Sequence, residues 1–290
     1  MLTNPQVIDC KINEANIQIE SGIIAALENE HKAGQLPVFA IHGWLDNAAS
    51  FIPLINALPK YNWTAIDLPG HGNSYHRPPH CHYHFIDWVS ELISIIEVKY
   101  NNTPVVIVGH SLGGMLATVL AGAYPELVKK LILIDAAGLV TNTEGVSDIR
   151  KALDGRVKQL KKAKVKSFSL NTAIKARCYA GDLSNESAEL LVRRNTKATG
   201  EEFEWKTDHR LRTSSPVRLN EQQSTSIIQH IKAPTLLCIA KNGYEMVKLG
   251  YKKYKNDYPN LTKKEVAGSH HCHMDDTIEI ATEIKHFIDY

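Results

Sequence analysis

Residues 105–114 read VVIVGHSLGG, and the fold is decided by how this run is read. Val105, Val106, Ile107 and Val108 are consecutive β-branched apolar residues, the pattern of a short strand buried on both faces. Gly109-His110-Ser111-Leu112-Gly113 fits G-x-S-x-G, and Met115 to Ala123 continues as a helix-forming run. A serine on such a tight strand-to-helix turn is held in a strained backbone conformation with its hydroxyl exposed. The two glycines are required because side chains there would collide with the neighbouring strand and helix. A bare G-x-S-x-G arises by chance as a structural turn. Between a β-branched strand and a small-residue helix it marks Ser111 as a nucleophile.

Outward from this run, strands and helices alternate. Strands are predicted at 37–42, 62–67, 104–109, 129–135, 234–240 and 261–267, and helices at 48–58, 85–99, 112–123, 244–256 and 276–289. Ile17, Ile19 and the run Ile23 to Leu27 predict an opening antiparallel hairpin. A βαβα rhythm of this kind implies a mostly parallel sheet with helices on both faces. The rhythm breaks across 138–232, which is charged, rich in helix formers and without a clear buried strand. An insertion of that length between two core strands is expected to form a lid. It divides the chain into a core of 1–137 with 233–290 and a helical cap of 138–232. Within it, residues 150–166 carry eight Lys and Arg against Asp154 alone. Such a run is most simply the solvated side of an amphipathic helix, with Leu153, Val157 and Leu160 as its apolar stripe.

A serine hydroxyl needs a base to take its proton and donors to stabilise the oxyanion that follows. In a parallel sheet both must come from the carboxyl ends of strands. The strand over Val38 to Ile41 runs into His42-Gly43-Trp44-Leu45-Asp46-Asn47, which places this turn at the same edge as Ser111. There the Trp44 amide is the candidate oxyanion donor. The Leu112 amide, at the start of the helix after Ser111, is the second, aided by the helix dipole. After the last predicted strand comes Gly268-Ser-His-His-Cys-His-Met-Asp275. Histidine is the side chain suited to shuttling a proton near neutral pH. His270, first after the Gly-Ser turn, is placed to reach Ser111, while His271 and His273 lead into the final helix and are expected to pack or face solvent. Asp67 and His71, in A-I-D-L-P-G-H-G-N-S (65–74), are expected to shape their loop rather than to react. His80-Cys81-His82-Tyr83-His84 together with Cys272 lacks the ligand spacing of a structural zinc site. No metal and no cofactor is expected.

The bulk numbers agree with an ordinary globular enzyme. The chain has 290 residues, 43% hydrophobic and 22% charged, enough to bury roughly 75% of its unfolded surface without staples. Lys and Arg number 33 against 31 Asp and Glu, so there is no global drive toward nucleic acid. Five scattered cysteines argue for free thiols in a reducing compartment. The opening M-L-T-N-P-Q-V-I-D-C lacks the basic start and apolar run of a signal peptide, and no apolar stretch approaches 18 residues, so a cytoplasmic protein with no membrane span is expected.

HGWLDN (42–47), DLPGHGNS (67–74), GHSLGG (109–114) and GSHHCHMDD (268–276), in this order, strongly resemble the α/β-hydrolase superfamily. HGWLDNAASF and the later W205-K-T-D-H-R-L-R resemble more narrowly its serine hydrolase-like group. The resemblance implies an eight-stranded, mostly parallel sheet with a helical cap between the sixth and seventh strands. It implies Ser111 as nucleophile, His270 as base and the Trp44 and Leu112 amides as oxyanion hole. Relatives that are haloalkane dehalogenases or epoxide hydrolases carry Asp where this chain has Ser111, so the expected chemistry is acyl transfer to water from an ester, thioester or related small acyl substrate. Carbon–carbon bond hydrolysis, perhydrolysis, or ligand binding without catalysis are the alternatives. In one respect the chain departs from its relatives. Many of them carry the triad acid in a G-x-x-D pattern after the seventh strand, where this chain has Ala240-Lys241-Asn242-Gly243. Asp135, ending L-I-L-I-D, is the expected substitute, with Glu245 or Asp208 as alternatives. In the cap, Trp205 and Tyr179 are candidates to line the substrate pocket.

Overall fold

The structure is a computed structural model and describes residues 10–141, 145–160 and 167–290, with Leu160 by its backbone alone. Its centre is an eight-stranded sheet. The strands are β1 (Ile12–Ile19), β2 (Gly22–Asn29), β3 (Pro37–Ile41), β4 (Asn62–Ile66), β5 (Val105–His110), β6 (Val128–Ile134), β9 (Thr235–Asn242) and β10 (Leu261–Ser269). A small hairpin, β7 (Thr196–Thr199) with β8 (Glu202–Trp205), stands apart. The sheet order is β1-β2-β4-β3-β5-β6-β9-β10. β1 and β2 pair antiparallel, β2 joins β4 antiparallel, and every pairing from β4 to β10 is parallel.

The six-residue strand β5 is buried along its whole length and lies near the centre of the sheet. Its side chains alternate between faces as a period of two requires. Val105 and Ile107 join the core formed with α2 (Phe85–Tyr100), α3 (Leu112–Ala123) and α7 (Glu221–Gln229). Val106 and Val108 join the opposite core, formed with α1 (Ile52–Ala57) and α10 (Thr277–Asp289). Covered on both sides, the parallel strands read as continuous apolar runs.

Two element boundaries differ from the sequence reading. The helix expected at 48–58 begins as a 3₁₀ turn, Ala48–Phe51, capped by the Asn47 side chain on the Ala49 amide, and becomes α-helical only at Ile52, with Pro53 in its first turn. The final helix is preceded by a single turn, α9 (Cys272–Asp275). No helix among the described residues is long and apolar enough to cross a membrane.

Between β6 and β9 the chain forms α4 (Val146–Leu160), α5 (Leu170–Gly181), α6 (Asn185–Asn195), the β7–β8 hairpin and α7. α5 and α6 pack on each other through Ala173, Ile174, Ala188, Leu191 and Val192. α6 is fastened to the core by two buried links: Asn47 Nδ2 donates to the Leu191 carbonyl at 2.9 Å, and Arg194 Nε donates to Asp67 Oδ1 at 2.9 Å. α7 packs on α3, where Gly122 leaves room for the Ile227 backbone. The apolar stripe expected on α4 is not buried. Leu153 is 47% exposed and Val157 54%, because α4 meets the 209–212 turn with its Ala152 and Gln159 side instead. Lys161, Lys162, Lys164 and Lys166 of the basic run lie outside the described residues, as does the Leu160 side chain.

Candidate active site

Ser111 sits between β5 and α3 with φ 50° and ψ −117°, a region that non-glycine residues avoid and that persists only where surroundings impose it. Here they do. The Ser111 amide donates to the Ile134 carbonyl at 3.1 Å, while the Ser111 carbonyl accepts from the Gly114 and Met115 amides. A Cβ at Gly113 would lie 2.0 Å from the Ile41 carbonyl oxygen, and one at Gly109 would lie 2.6 Å from the Gly113 oxygen. Both glycines therefore serve close packing of strand against helix, as the sequence suggested.

The turn after β3 lies beside this elbow, since β3 and β5 are hydrogen-bonded neighbours. Leu112 opens α3, so its amide has no acceptor within the helix. Trp44 follows the end of β3, and its indole Nε1 donates to the Leu211 carbonyl at 3.0 Å. Asp67 and His71 hold this edge together. The Asp67 carboxylate accepts from the Ala48 and Asn73 amides, both at 2.8 Å, and His71 Nε2 accepts from the Leu45 amide at 3.2 Å. Neither of them lines the cavity described below.

His270 and Asp135 meet. His270 Nδ1–H donates to Asp135 Oδ2 at 2.6 Å, with the carboxylate fully buried and His270 6% exposed. Asp135 is the residue just past β6, with φ 42°. Its carboxylate also accepts the Ala240 amide at 3.1 Å and the Tyr244 amide at 3.4 Å. A Cβ added at Gly243 would stand 2.5 Å from both Asp135 carboxylate oxygens. The Asp135 carboxylate thus fills the space that a side chain at position 243 would occupy. Burial pushes the His270 pKa down, and the Asp135 hydrogen bond only partly opposes this, so the resting imidazole is neutral and able to accept a proton.

The other acids are elsewhere. Asp208 is occupied by Arg210 and by the Tyr83 hydroxyl at 2.9 Å, and Glu245 is exposed at the start of α8 (Glu245–Tyr254). His271 and His273, expected to pack or face solvent, are both buried. Cys272 lies in the core while Cys81 is on the surface, which separates Cys272 from the His80–His84 run weighed with it as a zinc site.

A cavity of about 460 Å³ opens over Ser111 and Leu112, lined by Trp44, Phe85, Trp88, Met115, Leu211 and Met246 among others. Tyr244 also lines it and stacks on the His270 ring at 3.9 Å. Neither cap aromatic singled out from sequence reaches it. Trp205 packs on Phe168 at 4.9 Å, and Tyr179 stands 94% exposed on α5. The lining residues that sequence reasoning missed come partly from the helices α2, α3 and the start of α8 and partly from the chain at 211–219, where no periodicity marks a pocket-facing side chain. A wider, more polar cleft of about 580 Å³ around Tyr75, Arg77 and His82 shares no residue with this cavity.

A family profile for the alpha/beta hydrolase fold matches residues 37–277. Serine hydrolase-like protein 2 of Homo sapiens is 30% identical over 96% of this chain and 94% of its own length. A serine hydrolase-like protein of Danio rerio is 30% identical over 87% of this chain and 81% of its own. Among solved structures, a Pseudomonas aeruginosa protein described as hypothetical superposes with a TM-score of 0.87 at 28% identity, covering 96% of this chain and 99% of that one. With the elbow, the sheet order and these likenesses together, the chain belongs to the alpha/beta hydrolase family, in its serine hydrolase-like group.

Proposed function

We propose that this hydrolase cleaves a carboxylic ester, thioester or related small acyl compound through an acyl-enzyme on Ser111, with His270 as base and Asp135 as the third member of the triad. The observation that carries the reading is the 2.6 Å bond from His270 Nδ1 to Asp135, at the sheet edge where Ser111 is held in its strained turn. Ser111 Oγ attacks the acyl carbon as His270 Nε2 takes its proton. Asp135 fixes the tautomer and stabilises the imidazolium that forms. The Trp44 and Leu112 amides receive the oxyanion. The imidazolium then protonates the leaving alcohol or thiol, and a water activated by the same nitrogen releases the acid.

The helices inserted between β6 and β9 act as the cap in this reading, with residues 211–219 supplying part of the cavity wall. The mainly apolar lining suits the acyl or alcohol part of a small substrate, and about 460 Å³ falls in the range of small-molecule sites.

A fluorophosphonate probe tests this directly, alongside a panel of p-nitrophenyl esters and acyl thioesters. Labelling is expected at Ser111, and Ser111→Ala or His270→Ala is expected to lower turnover by about 10⁴–10⁶-fold. Ester turnover largely retained in Ser111→Ala would put the nucleophile elsewhere. Labelling without turnover of any acyl substrate would favour carbon–carbon hydrolysis, perhydrolysis or a ligand-binding role.

A further inference from the structure

His110 precedes Ser111, His271 follows His270, and Asp46 lies in the turn after β3; their side chains converge in the interior, each at most 3% exposed. None of the three lines the substrate cavity. The bonds each ring makes elsewhere decide what it offers here. His110 Nε2 lies 2.9 Å from the His270 carbonyl, and a carbonyl can only accept, so the neutral ring carries its proton on Nε2 and a lone pair on Nδ1. His271 Nδ1 lies 3.1 Å from the Gly181 carbonyl, so the neutral form of that ring has its lone pair on Nε2. Both lone pairs face the same carboxylate oxygen. Asp46 Oδ2 is 3.6 Å from His110 Nδ1 and 3.3 Å from His271 Nε2.

With both rings neutral, three acceptors point at one another. Arg177, from α5, offers a partial remedy: its Nη2 bonds the other carboxylate oxygen and lies 3.3 Å from His271 Nε2. His110 Nδ1 is left buried without a hydrogen-bond partner among the described residues. The gap it faces exists because residue 43 is glycine. A Cβ there would lie 2.9 Å from both Asp46 Oδ2 and His110 Nδ1.

We propose that Asp46, His110 and His271 form a buried binding site for a divalent transition-metal ion of the zinc type, separate from the triad. Two imidazoles and a carboxylate are a donor set suited to such an ion. Donors about 2.1 Å from a tetrahedral ion stand about 3.4 Å from one another, and the observed separations of 3.3 and 3.6 Å straddle that value. Each histidine already donates its second nitrogen to a backbone carbonyl, the arrangement that orients metal-bound imidazoles. Arg177 is the least buried member of the group, with its side chain 18% exposed, and marks the way in. Guanidinium and metal compete for one carboxylate, so the ion binds as Arg177 swings aside.

The test uses the full chain freed of metal by chelation, titrated with Zn²⁺ by calorimetry and with Co²⁺ by visible absorption. One saturable equivalent is expected, with the intense visible bands of tetrahedral Co²⁺. His271→Asn is expected to weaken binding at least about tenfold. Arg177→Met is expected to strengthen it, since it removes the competing cation, and this gain needs no ligand to be deleted. Absence of saturable binding below millimolar Zn²⁺ in both wild type and Arg177→Met overturns the proposal. So does binding unchanged in both variants and lost instead when His80, His82 and His84 are replaced. Calorimetry reads binding alone, so these outcomes do not depend on which reaction Ser111 performs.

Discussion

At Asp135 two residues far apart in the chain settle one question. Its carboxylate fills the space next to Gly243 and bonds His270, so a side chain at 243 and the Asp135 carboxylate exclude one another. Asp135→Asn is expected to fold normally and lose about 10⁴-fold in kcat, the scale seen when the corresponding acid of a serine protease is made an amide. Glu245→Gln, at an exposed position, is expected to cost less than about tenfold. Adding Gly243→Asp to Asp135→Ala should recover part of the loss, while Gly243→Asp alone should be destabilised by the clash with Asp135; ester kinetics and thermal unfolding read both. That Ser111, His270 and Asp135 would come to one edge was legible in the sequence because each follows a strand, apolar throughout in β5 and largely so in β6, and strand ends of a parallel sheet share an edge. The partners of His271 were not. Asp46 is 225 positions away in the chain, and no periodicity connects a turn after β3 to the start of α9.

Among the elements, the insertion between β6 and β9 was visible as a break in rhythm, but its pocket-facing residues were not. Aromatic content pointed to Trp205 and Tyr179, yet a side chain on a short hairpin or an outer helix face packs locally or meets solvent. α4 failed in a similar way. Its apolar residues have helical spacing, but the surface it meets is the small 209–212 turn, which covers the Ala152 side only. The cavity wall comes from irregular chain at 211–219 and from Tyr244 and Met246. Leu211→Ala and Met246→Ala are therefore expected to change the kcat/KM ratio between short and long acyl chains by about 10–200-fold. Tyr179→Ala is expected to leave that ratio flat. A p-nitrophenyl ester series checks both, and a flat ratio in the first two would remove these side chains from the substrate wall.

Across the whole molecule, buried neutral histidines tie stability to pH. Burial pushes the pKa of His42 down to about 4 and that of His71 to about 3, from an ordinary value of 6.5. Between the unfolded and folded values the unfolded chain binds more protons, so stability is complete above about pH 6.5 and declines as pH falls. The slope is about 1.4 kcal/mol per pH unit for each histidine. Melting temperature is expected to drop steeply from pH 6.5 to 4.5 and less so in His71→Gln; a flat profile for the wild type would contradict the burial argument. The sheet, its order and its two cores were readable because they repeat a simple alternation, whereas the long-range links that fasten α6 to the core pair single polar residues and leave no pattern. A different long-range link reaches the chemistry. Trp44 is bound through its indole to the Leu211 carbonyl, while its backbone amide is the proposed oxyanion donor. Lifting the 211–219 wall to admit a bulky substrate would break that bond and loosen the tryptophan that carries the proposed donor. In the proposed mechanism the wall is then a latch on size: molecules small enough to leave it seated are expected to turn over, and larger ones to bind without reacting.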